Sequence, residues 1–370
     1  MPLLTAIAAV AALAGGEPAA SDSVRFPRDS ASRARDSTSR PWRLLAVPAL
    51  TSQPETGLAG AFIAYAVHTP TDTATRPAQY EVGLQVTQKR QTRLFVEWDR
   101  WSAGNRWRVQ GSAEFRVYPL PFYGTGPVAP EAREEVYEPR GGIATLTVQR
   151  RLSHGWFAMG GARASVLSIT DREAGGLLAA DTVPGASGAR LVQWRTGLLY
   201  DTRDDVLTPR HGTFVTLGLG AAVPTLLGGD WSYGRANVDA RAYRTIGPLT
   251  LAAQAVAEGL TGRAPFDDLP MLGTKSWMRG YALGRYRDRS LAAVQVEGRL
   301  RLTRRIAGAL WAGGGGVAPS FDRLRSDQLL PTVGLGGRWG LFSNSRAQLR
   351  ADLAFGRDGK ALYLNLNEAF

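Results

Sequence analysis

The sequence predicts an all-β protein: a closed antiparallel transmembrane β-barrel of 16 strands. Three observations predict it. Apolar and polar residues alternate with period two from Trp42 to Phe370, the signature of strands rather than helices. The alternating windows approach the 9–11 residues that cross a bilayer at a tilt. The breaks between windows are long at one end and mostly short at the other, as in outer-membrane barrels. A sheet in lipid must close on itself, because an open edge leaves backbone groups without partners there.

The windows fall at 42–49, 58–67, 79–88, 91–99, 106–116, 142–151, 155–165, 190–200, 212–220, 231–243, 248–258, 290–302, 305–316, 331–339, 345–355 and 361–370. In the fifth, Trp107, Val109, Ala113 and Phe115 share one face and Arg108, Gln110, Ser112, Glu114 and Arg116 the other. The twelfth sets Val294, Val296 and Leu300 against Gln295, Glu297, Arg299 and Arg301; the fifteenth sets Leu349, Leu353 and Phe355 against Gln348, Arg350 and Asp352. Charges on the second face suit an aqueous lumen. Aromatics at window ends, among them Trp98, Trp101, Trp107, Tyr118, Trp156, Tyr243, Trp339, Tyr363 and Phe370, suit interfacial girdles. If the first strand runs outward, the long breaks 117–141, 166–189, 259–289 and 317–330 lie outside. The short ones, 152–154, 244–247, 303–304 and 340–344, then face the periplasm. Two inner turns, 68–78 and 201–211, are longer.

The chain has 370 residues, 44 Lys+Arg against 32 Asp+Glu and no cysteine. Disulfides, iron–sulfur clusters and thiolate zinc sites are therefore excluded. The arginines are spread singly, which argues against nucleic acid as a partner and for lumenal charge and contact with lipid and lipopolysaccharide. Leu3–Gly15 is one apolar run, too short for a bilayer span and the right length for the core of a signal peptide, so residues 1–20 are expected to direct export. Residues 21–41 are rich in Ser, Arg and Asp and read as a disordered linker, leaving 42–370 for the barrel.

Five segments then carry a resemblance. Met278-Arg279-Gly280-Tyr281 sits in the break between windows eleven and twelve. Tyr200-Asp201-Thr202-Arg203-Asp204-Asp205 is followed by Thr208-Pro209-Arg210-His211-Gly212. Phe122-Tyr123-Gly124-Thr125-Gly126 lies in the third outer break, Pro54-Glu55-Thr56-Gly57 in the first hairpin, and Asn365–Phe370 ends the chain on an aromatic. In that order and topology, residues 42–370 resemble the outer-membrane assembly and two-partner-secretion translocase superfamily, the BamA/TamA type. The resemblance implies an inward-folded sixth outer loop whose arginine, here Arg279, pairs with acidic residues on strands 12 and 13. Alternation makes Glu297 its expected partner. Where the family carries an aspartate on strand 13, this chain reads Leu310–Val317 as LWAGGGGV, and Gly313 takes the place; Asp352 is the candidate substitute. Gly313, Gly314, Gly315 and Gly316 are expected to let the lid's backbone approach the wall. Leu362, Leu364, Leu366 and Phe370 are expected to form a lipid-facing last strand read by the barrel-assembly machinery.

The resemblance implies assembly of outer-membrane proteins, or translocation of polypeptide or lipid, through a lateral seam and a lumenal lid. Pro48, which has no N–H to give a ladder, suits a weak seam in strand 1. The first forty residues hold no room for the family's periplasmic polypeptide-transport-associated domains, so a separate periplasmic protein is the expected supplier of substrate-receptor domains. A passive gated pore and a structural barrel anchor are the alternatives. No catalysis, metal or cofactor is expected, since His68, His154 and His211 fall in inner turns or at their edges, outside any G-x-S-x-G or H-E-x-x-H context.

Overall fold

The structure is a computed structural model that describes residues 41–53, 56–72, 75–340 and 348–370. The segments expected to be a signal peptide (1–20) and a linker (21–41, but for Pro41) and the Pro54-Glu55 pair of the first hairpin lie outside the described residues. Sixteen strands form the wall: β1 Trp42–Gln53, β2 Gly57–His68, β3 Ala78–Thr87, β4 Thr92–Trp101, β5 Trp107–Val117, β6 Glu135–Arg151, β7 Trp156–Arg172, β8 Gly188–Asp201, β9 Gly212–Ala222, β10 Ser232–Ile246, β11 Leu249–Arg263, β12 Ser290–Arg301, β13 Ile306–Ala318, β14 Leu330–Gly340, β15 Gln348–Gly356 and β16 Gly359–Leu366. Each pairs antiparallel with the next, and β1 returns to β16, closing the barrel. A three-residue strand, Leu120–Phe122, pairs with the start of β6. No helix among the described residues is long and apolar enough to cross a membrane.

The period-two alternation becomes an outside and an inside. On β12, Val294 and Val296 are each 60% exposed, while Gln295, Glu297 and Arg299 between and beyond them are buried. On β3, Val82, Leu84 and Val86 face out and Glu81 and Gln85 face in. The outward row is apolar because it meets hydrocarbon. The inward row is polar because the lumen is lined by other polar groups.

Several strands outrun the windows. β6 starts at Glu135 rather than 142, across Pro139 and a register shift between Glu138 and Pro139. β7 continues to Arg172 and pairs with that extension. Pro139 and Gly141–Gly142 hide the strand from a period reading, yet a proline is tolerated at such an irregularity. The aromatic girdle needs correction. Trp107, Trp156 and Trp339 face outward, but Trp101, Tyr118, Tyr243, Tyr363 and Phe370 are buried on the inner side. The last strand also stops early. Asn367 takes φ 59°, and the chain leaves the sheet after Leu366. Leu362 stays outward and Leu364 half-buried, while Phe370 turns inward instead of facing lipid.

Candidate functional site

The connection between β11 and β12 begins at Ala264 and ends at Arg289, and the sequence dictates a tight path for it. Thr274 Oγ1 accepts from the N–H groups of Ser276 (3.2 Å) and Trp277 (2.9 Å) and donates to Trp277 O (3.1 Å). Met278 then adopts φ 53° and Gly280 φ 103°. Residues with positive φ thus flank Arg279 on both sides. Met278 packs with Tyr281, Tyr286, Leu291, Val317 and Leu330 in an apolar cluster. Tyr281 OH donates to Pro331 O (2.6 Å) and accepts from Arg357 N (2.9 Å), and the Thr332 hydroxyl donates to Arg279 O. Gly280 gives its N–H to Tyr363 OH (3.0 Å).

Gly280 is the one position in this turn where a side chain is barred twice. Its φ is disfavoured for L residues, and a Cβ would come within 2.9 Å of the Phe355 carbonyl carbon and 3.0 Å of Gly356 N. Gly280→Ala is expected to lift the loop off β15 and shorten the time in which a protease cuts within residues 264–289 by tenfold or more. Loop cleavage at the wild-type rate is the opposing result.

Arg279 is fully buried. Its Nη2 meets Glu297 Oε2 at 2.6 Å on β12, its Nη1 meets Asp352 Oδ2 at 2.6 Å on β15, and its guanidinium carbon lies 3.7 Å from the Trp311 ring centroid on β13. The fork thus spans three strands, a geometry that a planar guanidinium supplies and an ammonium does not. The expected strand-13 aspartate is replaced by an aromatic face under the cation and a carboxylate two strands further on. Around this pair the sequence reading missed four groups. Arg338 reaches Glu297 Oε1 (3.2 Å), Asp352 Oδ1 (2.6 Å) and Glu368 Oε2 (2.8 Å). Arg299 meets Glu297 Oε1 at 2.8 Å and Glu368 Oε2 at 3.4 Å, and Arg350 lies 3.5 Å from Asp352. Period-two spacing placed Arg299 and Arg350 inward but put Glu368 on the lipid-facing row of the last strand, and nothing in one sequence says which inward charges meet across a lumen.

The glycine run behaves differently from expectation. A Cβ at Gly313 would meet Val294 O at 2.6 Å, and one at Gly315 would meet Ala293 Cβ at 2.7 Å. The close approach is by β12, the neighbouring strand, and not by the lid. At Gly316 the nearest atoms belong to Leu324 and Leu329 of the next outer loop, and Gly314 has room.

A family model for the Omp85 superfamily domain matches residues 76–356, which include the lid and all the carboxylates that hold Arg279. The chain belongs to the Omp85 superfamily. Among solved structures it is similar to BamA from Haemophilus ducreyi lacking POTRA domains 1–3, with TM-score 0.61 and 10% identity over 89% of this chain and 70% of that one. It is also similar to CdiB from Acinetobacter baumannii, with TM-score 0.55 and 13% identity over 89% of this chain and 60% of that one. No curated protein matches it. At these identities the structural likeness speaks for the fold.

Two further features tie the ends of this Omp85 barrel. At the outer end of the lid, Asp268 is buried and shared by Arg163 of β7 (3.0 Å), Arg235 of β10 (2.7 Å), Gln193 of β8 (2.7 Å) and the Tyr233 hydroxyl. Burial alone raises its carboxyl, but Arg235 and Arg163 outweigh that and hold it below the usual range. The Phe122–Gly126 element leans on the same loop: Phe122 packs edge-on to Phe266 at 4.8 Å, and Gly126 N donates to Arg287 O (2.8 Å). At the other end, residues 368–370 meet the 202–211 turn. Glu368 N donates to Leu207 O (3.1 Å), and Arg299 donates to Phe370 O (3.0 Å) and Pro209 O (3.4 Å). The turn is self-braced: Asp201 pairs with Arg203 (3.0 Å), and Asp205 Oδ1 accepts from the N–H groups of Leu207 (2.9 Å) and Thr208 (2.7 Å).

Proposed function

We propose that this Omp85 barrel inserts or translocates polypeptide or lipid at the outer membrane, opening laterally between β1 and β16 while the 264–289 loop serves as the lid. One observation carries the reading. β1 pairs with β2 at all twelve of its positions and β15 with β16 from Leu349↔Leu366 to Gly356↔Gly359, whereas among the described residues β1 meets β16 at the single position Ser52↔Leu364. Each missing ladder bond is a backbone group that another strand can satisfy, so a nearly unpaired edge is a template for an incoming strand. The lid contacts support the same reading. Arg279 reaches β12 and β15 but not the seam, so the wall can part at β1/β16 without first breaking those ion pairs. On this reading a separate periplasmic protein delivers cargo, and the barrel-assembly machinery inserts the chain itself.

The test locks the seam. Ser52→Cys with Leu364→Cys, in a chain that has no cysteine of its own, is expected to cross-link on oxidation and abolish cargo insertion, with recovery on reduction. Full activity in the oxidised double variant, or an unchanged outer-membrane protein inventory after depletion, overturns the proposal. Planar-bilayer conductance separates the pore: a large solute-selective current that Arg279→Ala leaves unchanged favours passive uptake.

A further inference from the structure

The two ends of the barrel carry different charge. At the loop end exposed acids and bases interleave: Glu131 and Glu134 flank Arg133, and Arg325 pairs with Asp327 at 3.0 Å. At the turn end, where both ends of the barrel domain lie, exposed arginines outnumber exposed carboxylates. Arg301, Arg304 and Arg305 crowd the β12–β13 turn, and Arg100, Arg150 and Arg244 stand at the ends of β4, β6 and β10. Among the described residues the exposed carboxylates at this end are Asp72 and Asp204, and both are engaged. Asp72 accepts from Thr75 Oγ1 (2.6 Å), and Asp204 accepts from the N–H groups of Arg210 (2.9 Å) and His211 (3.1 Å).

Three of the arginines lie on the lipid side of the wall. Arg100 continues the outward row of Leu94 and Val96, Arg150 that of Leu146, and Arg244 that of Val238. Arg150 sits directly opposite Trp107, its guanidinium carbon 5.4 Å from the ring centroid. Outward tryptophans mark the height of the headgroups. At Arg244 the wall is also hollowed. Antiparallel register puts Arg244, Leu251, Gly298 and Leu310 in one outward row. Gly298 leaves a dent between the two leucines, and an open groove of about 640 Å³ lies there, its lining including those residues, Val296, Ala242, Ala253 and Ala312.

We propose that the turn-end rim binds anionic phospholipid of the periplasmic leaflet, such as phosphatidylglycerol, with its tightest seat at Arg244, where a phosphate meets the guanidinium and an acyl chain lies in the Gly298 dent. Arginine presents a fork that matches phosphate oxygens, and a basic surface selects anionic over zwitterionic headgroups. A soluble acidic protein reaches the Arg301–Arg305 turn but not three side chains directed at the bilayer, so the placement favours lipid. Lipopolysaccharide is excluded by leaflet, since it lies at the other end.

Native mass spectrometry of the purified full chain in micelles doped with phosphatidylglycerol and phosphatidylcholine reads this directly. Wild type is expected to retain phosphatidylglycerol preferentially, and Arg100→Gln/Arg150→Gln/Arg244→Gln to lose that preference by roughly fivefold per arginine. The corresponding lysine triple keeps most of it. Gly298→Leu, which fills the dent and changes no charge, is expected to release the most firmly held lipid. If the glutamine triple fails to migrate as a folded barrel, Arg244→Gln alone with Gly298→Leu carries the comparison. An undiminished preference in the glutamine variants overturns the proposal. So does a preference abolished only by Arg301→Gln/Arg304→Gln/Arg305→Gln, the pattern of a soluble acidic partner. No cargo is needed, so the result stands apart from insertase activity.

Discussion

Arg279→Ala is expected to lower the temperature at which the barrel unfolds in detergent and to free the lid to proteases, the larger of these effects being on the lid. The side chain is fully buried between two carboxylates and an indole. Removing it leaves Glu297 and Asp352 facing each other with fewer cations, and breaking a buried pair by deleting one partner costs about 3–5 kcal/mol. The remaining arginines limit the damage to the barrel, because Arg338 still bridges Glu297 to Asp352 and Arg299 still meets Glu297. They do little for the loop, whose other holds here include the hydrogen bonds of Gly280, Tyr281 and the Arg279 carbonyl, that of Gln295 Nε2 to Ser276 O (2.6 Å) and the packing of Met278. Arg279→Lys is expected to resemble alanine more than wild type. One ammonium cannot reach two carboxylates on strands that are not neighbours while stacking on Trp311. Heat-dependent gel migration measures the barrel and timed proteolysis the loop; a lysine variant with wild-type values in both contradicts the bidentate account.

How much of this was legible before the structure differs by level. Strand existence and facing were legible, because lipid and lumen impose period two on every strand regardless of its neighbours. Pro48 hinted at a thin β1–β16 ladder, but the residue itself lies in the ladder with β2, opposite Phe62. Strand ends beyond the windows were not legible, since in the extensions of β6 and β7 buried and exposed positions alternate but residue type does not: exposed Val136 and Val166 sit beside buried Tyr137 and Leu167. Which charges meet was least legible. Glu297 followed from facing together with the family resemblance, and Asp352 from a missing partner on β13. Arg338, Arg299 and Glu368 needed the lumen's diameter and the tail's return. The tail misled for a physical reason: Leu362 and Leu364 continue a strand pattern, but Asn367 adopts a left-handed conformation that asparagine tolerates better than most residues. Glu368 then finds two arginines inside, and these outweigh burial to hold its carboxyl below the usual range. Asp268 carried no signal at all, being one of two adjacent aspartates in a loop.

Asp268→Ala is expected to free the outer half of the lid while leaving the inner half seated. The substitution removes the carboxylate shared by Arg163, Arg235 and Gln193 across β7, β8 and β10, again at a cost of about 3–5 kcal/mol. Cleavage within 264–270 should accelerate while Trp277–Tyr281 stays protected, and combination with Arg279→Ala should add, because the two anchors share no partner. Its neighbour sets an opposite pH response. Asp267 Oδ1 is buried without a partner, and its carboxyl is pushed up to about 6, first by burial and then by Asp268 beside it. A raised value means that the closed loop holds a proton the open loop releases, so closure strengthens as pH falls from 7 towards the ordinary aspartate value of about 4. Asp268, held low, contributes stability above the usual carboxylate range and loses it only as pH falls through its own depressed value. The loop is therefore most firmly shut in mildly acidic solution. Asp267→Asn should slow proteolysis of the loop at pH 7 and abolish the difference between pH 7 and pH 5; a pH difference that survives the substitution places its origin elsewhere.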